Sequence, residues 1–161
     1  MVLAEAPIDA LSYEQIHYKK DISNSNISLA SFDGSVRQGV ISRIKQHMTN
    51  NPALKIILAV DRDIAGIQHA VNIYNKLFDD FPLSFTKIGS KMEEHGYSIN
   101  GKVFKLNNDL DSYLLFLKTT FKTVSQKYSN IKIHLPETEK DWNKQLMVYY
   151  ESTHIYLIML I

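Results

Sequence analysis

The sequence predicts an α/β domain: a central, mostly parallel β-sheet flanked by helices, with an inserted hairpin-and-helix segment. The first observation behind this is order. Short apolar runs alternate with helical apolar patterns, strand then helix, three times between Val2 and Phe78, which predicts a parallel sheet with helices on its faces. The second is the stretch Lys55–Gly66, where Ile56-Ile57-Leu58-Ala59-Val60 runs straight into Asp61-Arg62-Asp63. A short continuous apolar run of this kind suits a strand buried on both faces. The third is balance: 161 residues, 45% hydrophobic and 22% charged, fit one globular domain with a sizeable core.

Taken in order, Val2-Leu3-Ala4 is a short strand ending at Glu5. Pro7 suits the first turn of a helix, and Ile8, Leu11, Ser12 and Gln15-Ile16 continue its face to about Tyr18, with Asp9 in the first turn. Residues 19–26 are a polar connection. Ile27-Ser28-Leu29-Ala30 reads as the second strand and Phe32-Asp33-Gly34-Ser35 as a turn. Ser35 is placed to cap a helix lined by Val36, Val40, Ile41, Ile44 and Met48, which Asn50-Asn51-Pro52 stops. The third strand is the Lys55–Val60 run, and its helix spans about Ile64 to Phe78 on the face Ile64, Ile67, Val71, Tyr74, Leu77 and Phe78. Leu83–Ile88 alternates as a fourth strand. The insertion is placed at 89–130: Asn100-Gly101 between alternating residues signals a hairpin, and Asp109-Leu110-Asp111-Ser112 opens a helix through Tyr113, Leu114, Leu117, Phe121 and Val124. Ile131–His134 is the last strand, residues 136–140 a loop, and Asp141-Trp142-Asn143 opens the closing helix. Residues 1–146 are expected to form one domain, with 147–161 a tail of unassigned role and the whole a module of a longer protein.

The net charge of +1 gives no global basic signal for nucleic acid, so such a partner would bind through a local patch or a metal-bridged phosphate. Absence of cysteine excludes disulfides and thiolate metal sites and fits a reducing compartment, here the cytoplasm. The opening residues lack the basic flank and apolar stretch of a signal peptide. The apolar ending Ile155–Ile161 is far short of the roughly 20 residues that cross a bilayer, and no membrane partner is expected.

In such a sheet the strand C-termini share one edge, where ligands bind. Glu5, Asp61, Asp63 and the loop before Asp141 all follow predicted strands and should share it. Asp61 and Asp63, two apart, are expected to point to one side. Carboxylates gathered there repel one another and raise each other's pKa values, a cost that a hard cation with a preference for oxygen ligands removes. Ala65 and Gly66 are expected to leave the following helix start open, with free N–H groups for a phosphate oxygen. Acids for Mg²⁺ beside a phosphate-binding helix start suit phosphoryl-transfer chemistry.

Glu5-Ala6-Pro7-Ile8-Asp9 followed by Ala10-Leu11-Ser12 resembles the Glu-Gly-x-x-Asp opening motif of Toprim domains, with Ala6 where the motif has glycine. Asp61-Arg62-Asp63-Ile64-Ala65-Gly66 resembles their Asp-x-Asp-x-Ala-Gly motif in its primase-type form. Leu135-Pro136 and then Lys140-Asp141-Trp142-Asn143 resemble the ending of Toprim-like domains in plasmid and conjugative-element proteins, including the LtrC type. The resemblance covers residues 1–90 and 130–146. It implies a Toprim-like, Rossmann-like fold. Glu5 would be a general acid/base or metal contact, Asp61 and Asp63 the Mg²⁺ or Mn²⁺ ligands, and Asp9 and Asp141 supporting acids. Ala65, Gly66 and Lys140 would meet phosphate or nucleic acid. The implied partners are DNA, RNA or nucleotides and further domains of a replication or transfer protein. The implied activity is primase-like nucleotidyl transfer or strand cleavage in plasmid or mobile-element DNA replication or transfer.

Plainer readings stand beside these. Asp61 and Asp63 also suit a helix-capping pair without metal, Asp9 a first-turn acid favoured by the helix dipole, and Asp141 a cap. His69 reads as part of a solvated face and His134 as a residue able to line the site. Lysines outnumber acids eight to four between Lys87 and Lys132, a local excess able to track a nucleic-acid backbone, and Tyr18, Tyr97 and Tyr128 are able to stack on bases. A non-catalytic module that keeps the fold and recruits DNA or a replication partner is the alternative function. A receiver-type phosphate-signalling domain is disfavoured by the absence of a lone acceptor aspartate with a later lysine at the right joint.

Overall fold

A computed structural model describes residues 1–18, 27–88 and 95–158, with side chains through residue 151. The polar connection at 19–26, residues 89–94 of the insertion and the last residues of the apolar ending lie outside the described residues. In chain order the elements are β1 (Val2–Ala4), α1 (Pro7–Tyr18), β2 (Leu29–Ser31), α2 (Gln38–Asn50), β3 (Ile56–Ala59), α3 (Ile64–Leu77), β4 (Leu83–Lys87), β5 (His95–Ile99), β6 (Lys102–Leu106) and α4 (Leu110–Phe116). A π turn (Leu117–Phe121) carries α4 into α5 (Lys122–Ser125), and β7 (Ile131–His134) and α6 (Trp142–Ile158) follow.

Four strands form an all-parallel sheet in the order β2-β1-β3-β7. The period-two alternation of side chains sorts them between two layers. Leu3, Ile56 and Leu58 pack with Ile41 and Ile44 of α2 and Ile67, Ala70 and Val71 of α3. Val2, Ala4 and Ala59 pack on the opposite side with Ala10 and Tyr13 of α1 and Trp142 of α6. A strand clad on both faces has no solvent side, which explains the unbroken apolar run of β3. The strands end level: Ala4 is registered with Ser31 and Ala59, and Ala59 with His134. The residues that follow β1, β3 and β7 therefore emerge at one edge.

Leu83–Lys87 does not extend this sheet. It pairs antiparallel with β5, and β5 with β6, in a separate sheet. The excursion thus begins one strand before residue 89, the start that the sequence suggests. Its alternating sequence is the reason: Leu83 is buried while Ser84 and Lys87 are exposed, a pattern suited to a sheet with one wet face. The β5–β6 turn is the expected one, with Asn100 and Gly101 at φ 50° and 81°, the left-handed pair that a two-residue type I′ hairpin requires. The capping role expected of Ser35 is not found. Arg37 stands at the N-cap of α2 without a side-chain cap bond, and Ser35 Oγ accepts from Arg37 Nε at 3.2 Å. Asp109 does cap α4, accepting from the Ser112 amide at 2.8 Å.

Buried aromatics join the layers. Tyr74 of α3 lies against Phe81 and edge-on to Phe121, and its hydroxyl donates to Ile131 O of β7 at 2.7 Å. Tyr128, one of the tyrosines read as able to stack on bases, is buried against Phe78 and donates to Asp80. Tyr97 stacks on Phe104 across the hairpin. Among the described residues no helix is long and apolar enough to cross a membrane. Tyr74→Phe keeps the ring and strands the buried Ile131 carbonyl. It should lower unfolding free energy by about 1–3 kcal/mol, read as a lower denaturant midpoint at unchanged slope.

Candidate functional site

Glu5, the first residue past β1, reaches across to the loop after β3. Its Oε1 accepts from the Asp61 amide at 3.2 Å. The first turn of α3 lies directly against it: a Cβ on Gly66 would stand 2.3 Å from Asp61 O and 2.9 Å from Glu5 Oε1. Glycine is required here by close approach. This differs from the expected role, an open amide for phosphate, because the Gly66 N–H donates to Asp63 Oδ1 at 2.8 Å. Ala65 beside it is exposed.

The two aspartates of the β3 loop part company. Strand alternation would aim them together, but β3 ends at Ala59 and both lie beyond it. Asp63 caps α3 in extended backbone and holds Lys140 Nζ at 3.2 Å. Asp61 turns inward, and its Oδ1 is buried with no hydrogen-bond partner. Burial, then the charges of Glu5, Asp9, Asp63 and Asp141, push its carboxyl up to about 7. Asp9 is buried in α1, accepts from the Asn143 amide at 3.3 Å and is likewise raised, first by desolvation. Asp141 caps α6, accepting from the Lys144 amide at 2.8 Å. All five sequence-predicted acids therefore share one edge. Capping accounts for one oxygen of Asp63 and one of Asp141, in keeping with the plainer reading of both.

Two residues outside the expected site set hold it together. Arg62, the variable position between the aspartates, donates through Nη1 to Pro136 O at 3.1 Å and Glu137 O at 2.6 Å. Its amide donates to Lys140 O at 2.6 Å. These bonds clasp the β7–α6 loop to the β3 loop and set Lys140 and Asp141 beside the other acids. No local signal marks Arg62, because its partners are carbonyls more than seventy residues away. His69 is half-buried, not on a solvated face. Its Nδ1 lies 3.4 Å from Glu5 Oε2 and its ring is edge-on to Phe32 at 5.5 Å. Its i+3 spacing from Gly66 was the available clue, and the neighbouring Glu5 raises its pKa. His134 points the other way. Its Nδ1 lies 2.6 Å from Tyr13 OH, in an aromatic group with His17 and Trp142.

An all-oxygen donor set with an unpartnered buried carboxylate oxygen fits a hard divalent cation. Among the described residues, however, no three acid or histidine side chains are arranged around one point as ligands; Asp63 is drawn off by its cap and by Lys140. The packing at Gly66 predicts that Gly66→Ala destabilises the fold by about 1–3 kcal/mol, because a backbone oxygen cannot yield, and thermal unfolding measures this. The folded-state pKa of Asp61 lies above its ordinary 3.8, so the folded chain binds that proton more tightly than the unfolded chain. The Asp61 contribution to stability is present at low pH and is lost as pH rises from 3.8 to about 7. In chelator-treated protein, Asp61→Asn should flatten the fall in melting temperature across that window.

A family model described as Toprim-like matches residues 2–114. The matched span holds Glu5, Asp9, Asp61 and Asp63 and ends within α4; Lys140 and Asp141 lie beyond it. No curated protein and no solved structure matches the chain. With most of its length matched, and with acids placed on the ends of parallel strands, the chain belongs to the Toprim-like family.

Proposed function

We propose that this chain carries out Mg²⁺- or Mn²⁺-dependent chemistry on nucleic-acid phosphodiesters, with primase-like nucleotidyl transfer ahead of strand cleavage. The family is one of metal-dependent nucleic-acid-processing domains generally. The observation that carries the finer reading is the unpartnered Asp61 Oδ1, buried among other carboxylates beside Glu5. Glu5, Asp61 and Asp63 would hold the cation, with Asp9 and Asp141 adding negative charge behind them. When bound, the cation supplies charge neutralisation and Lewis acidity at a phosphoryl oxygen. Glu5 keeps Oε1 on the Asp61 amide, and its Oε2, 3.4 Å from His69 Nδ1, would either contact the cation or move a proton at the reacting oxygen. Lys140, exposed at the rim, releases Asp63 and meets a phosphate. We place this activity in replication or transfer of plasmid or mobile-element DNA, as in LtrC-type proteins. Residues 1–146 would be the working domain of a longer cytoplasmic protein.

A second reading is favoured by the same rim. Asp63 is satisfied without a cation, as suits a non-catalytic module that keeps the fold and binds DNA or a replication partner. Calorimetric Mn²⁺ titration and an assay of nucleotide incorporation and strand cleavage separate the two. On the first reading, Asp61→Asn and Asp63→Asn each weaken Mn²⁺ binding more than about tenfold. Glu5→Gln lowers turnover by about 10²–10⁴. Nucleic-acid binding with no turnover in the parent chain, and equal Mn²⁺ binding by the aspartate variants, would establish the second.

A further inference from the structure

β7 is an edge strand of the parallel sheet. Ile56 is registered with Ile131 and donates to Asn130 O at 2.8 Å. In a parallel ladder this turns the backbone groups of Asn130 and Lys132 towards β3 and those of Ile131 and Ile133 outward. The Ile131 carbonyl is covered by Tyr74 OH. The outward side faces a groove of about 570 Å³ whose far wall is α4, the π turn and α5. Leu114, Leu117 and Phe121 line that wall at helical spacing, facing Ile133 and Leu135. Lys118, Lys122 and Lys132 also line the groove, and among the described residues no acidic side chain does.

We propose that this groove docks an extended apolar segment of another polypeptide that carries acidic side chains, added as a strand along β7. Outward amides supply the ladder, alternate side chains enter the apolar wall, and the lysines meet the acids between them. A second copy of this chain does not fit: edge-to-edge pairing through β7 would bring two sets of the same lysines together. Single-stranded nucleic acid is disfavoured by the wall itself. Leu114, Leu117 and Ile133 offer no stacking platform, and Phe121 is held edge-on by Tyr74 at 5.0 Å. The proposal does not depend on the metal-site reading, since the groove uses none of its acids.

Fluorescence anisotropy with the intact chain tests it. The probes are a peptide of about eight residues alternating valine and glutamate, its lysine-for-glutamate counterpart, and a short oligothymidine. Saturable binding is expected for the glutamate peptide alone. Lys118→Glu with Lys122→Glu, both exposed, should weaken it about tenfold or more. Ile133→Pro should do the same, by removing an outward amide while sparing the inner ladder. If circular dichroism shows that Ile133→Pro does not fold, the exposed lysine pair carries the test. No saturable binding, equal binding of the lysine peptide, or displacement of the glutamate peptide by oligothymidine overturns the proposal.

Discussion

Carboxylates that repel one another are held together at one end of a parallel sheet, and the surrounding structure answers to that constraint. Asp61 bears most of it, desolvated and surrounded by Glu5, Asp9, Asp63 and Asp141. Left alone, such a group would spread its loops apart or take up protons. Backbone amides hold Glu5, Asp9, Asp63 and Asp141. Lys140 pairs with Asp63 and His69 stands beside Glu5. Among the described carboxylate oxygens, Asp61 Oδ1 is the one buried without a hydrogen-bond partner, a cost that the proposed cation would relieve.

Holding the acids is a matter of tertiary packing on both sides of the sheet. Above one face, α3 begins so close to the Asp61 carbonyl and the Glu5 side chain that only glycine fits at position 66. Below the other, α1 and α6 meet through Asp9 and the Asn143 amide, over the buried contacts of Tyr13 and Trp142. Burial lowers the pKa of His134 and His17 in that layer, which favours the neutral forms at neutral pH. They therefore add little positive charge to offset the acids from below. The Arg62 clasp closes the third side by tying the loop after β7 to the loop after β3.

The family match and the groove divide the chain in an informative way. The matched span ends at residue 114 and contains the acids after β1 and β3. The π turn, α5 and β7, which build most of the groove, follow it. A π turn in a helix lining a surface groove is a recurrent mark of function. The matched span thus holds the acids after β1 and β3, whereas Asp141 and the β7 edge lie in the part of the chain beyond the match.

Much of this was legible in one sequence. The Ile56–Val60 run, the Asn100-Gly101 turn and the Asp109 cap are local signals, because periodicity, left-handed φ preference and capping chemistry act within a few residues. From them followed the parallel sheet and the gathering of acids after β1, β3 and β7. Local rules failed where the outcome depended on distant partners. Leu83–Lys87 joined a second sheet because only folding decides which edge a strand meets. Gly66 proved to be a point of contact with Glu5, and Arg62 and His69 acquired their roles from groups brought in by β1 and β7. Sequence alone determined that acids would converge at one edge. The tertiary structure decided which of them are paired, which is buried unpaired, and that β7 stands at the edge of the sheet among the described residues, since burial and pairing are set by contacts between segments far apart in the chain.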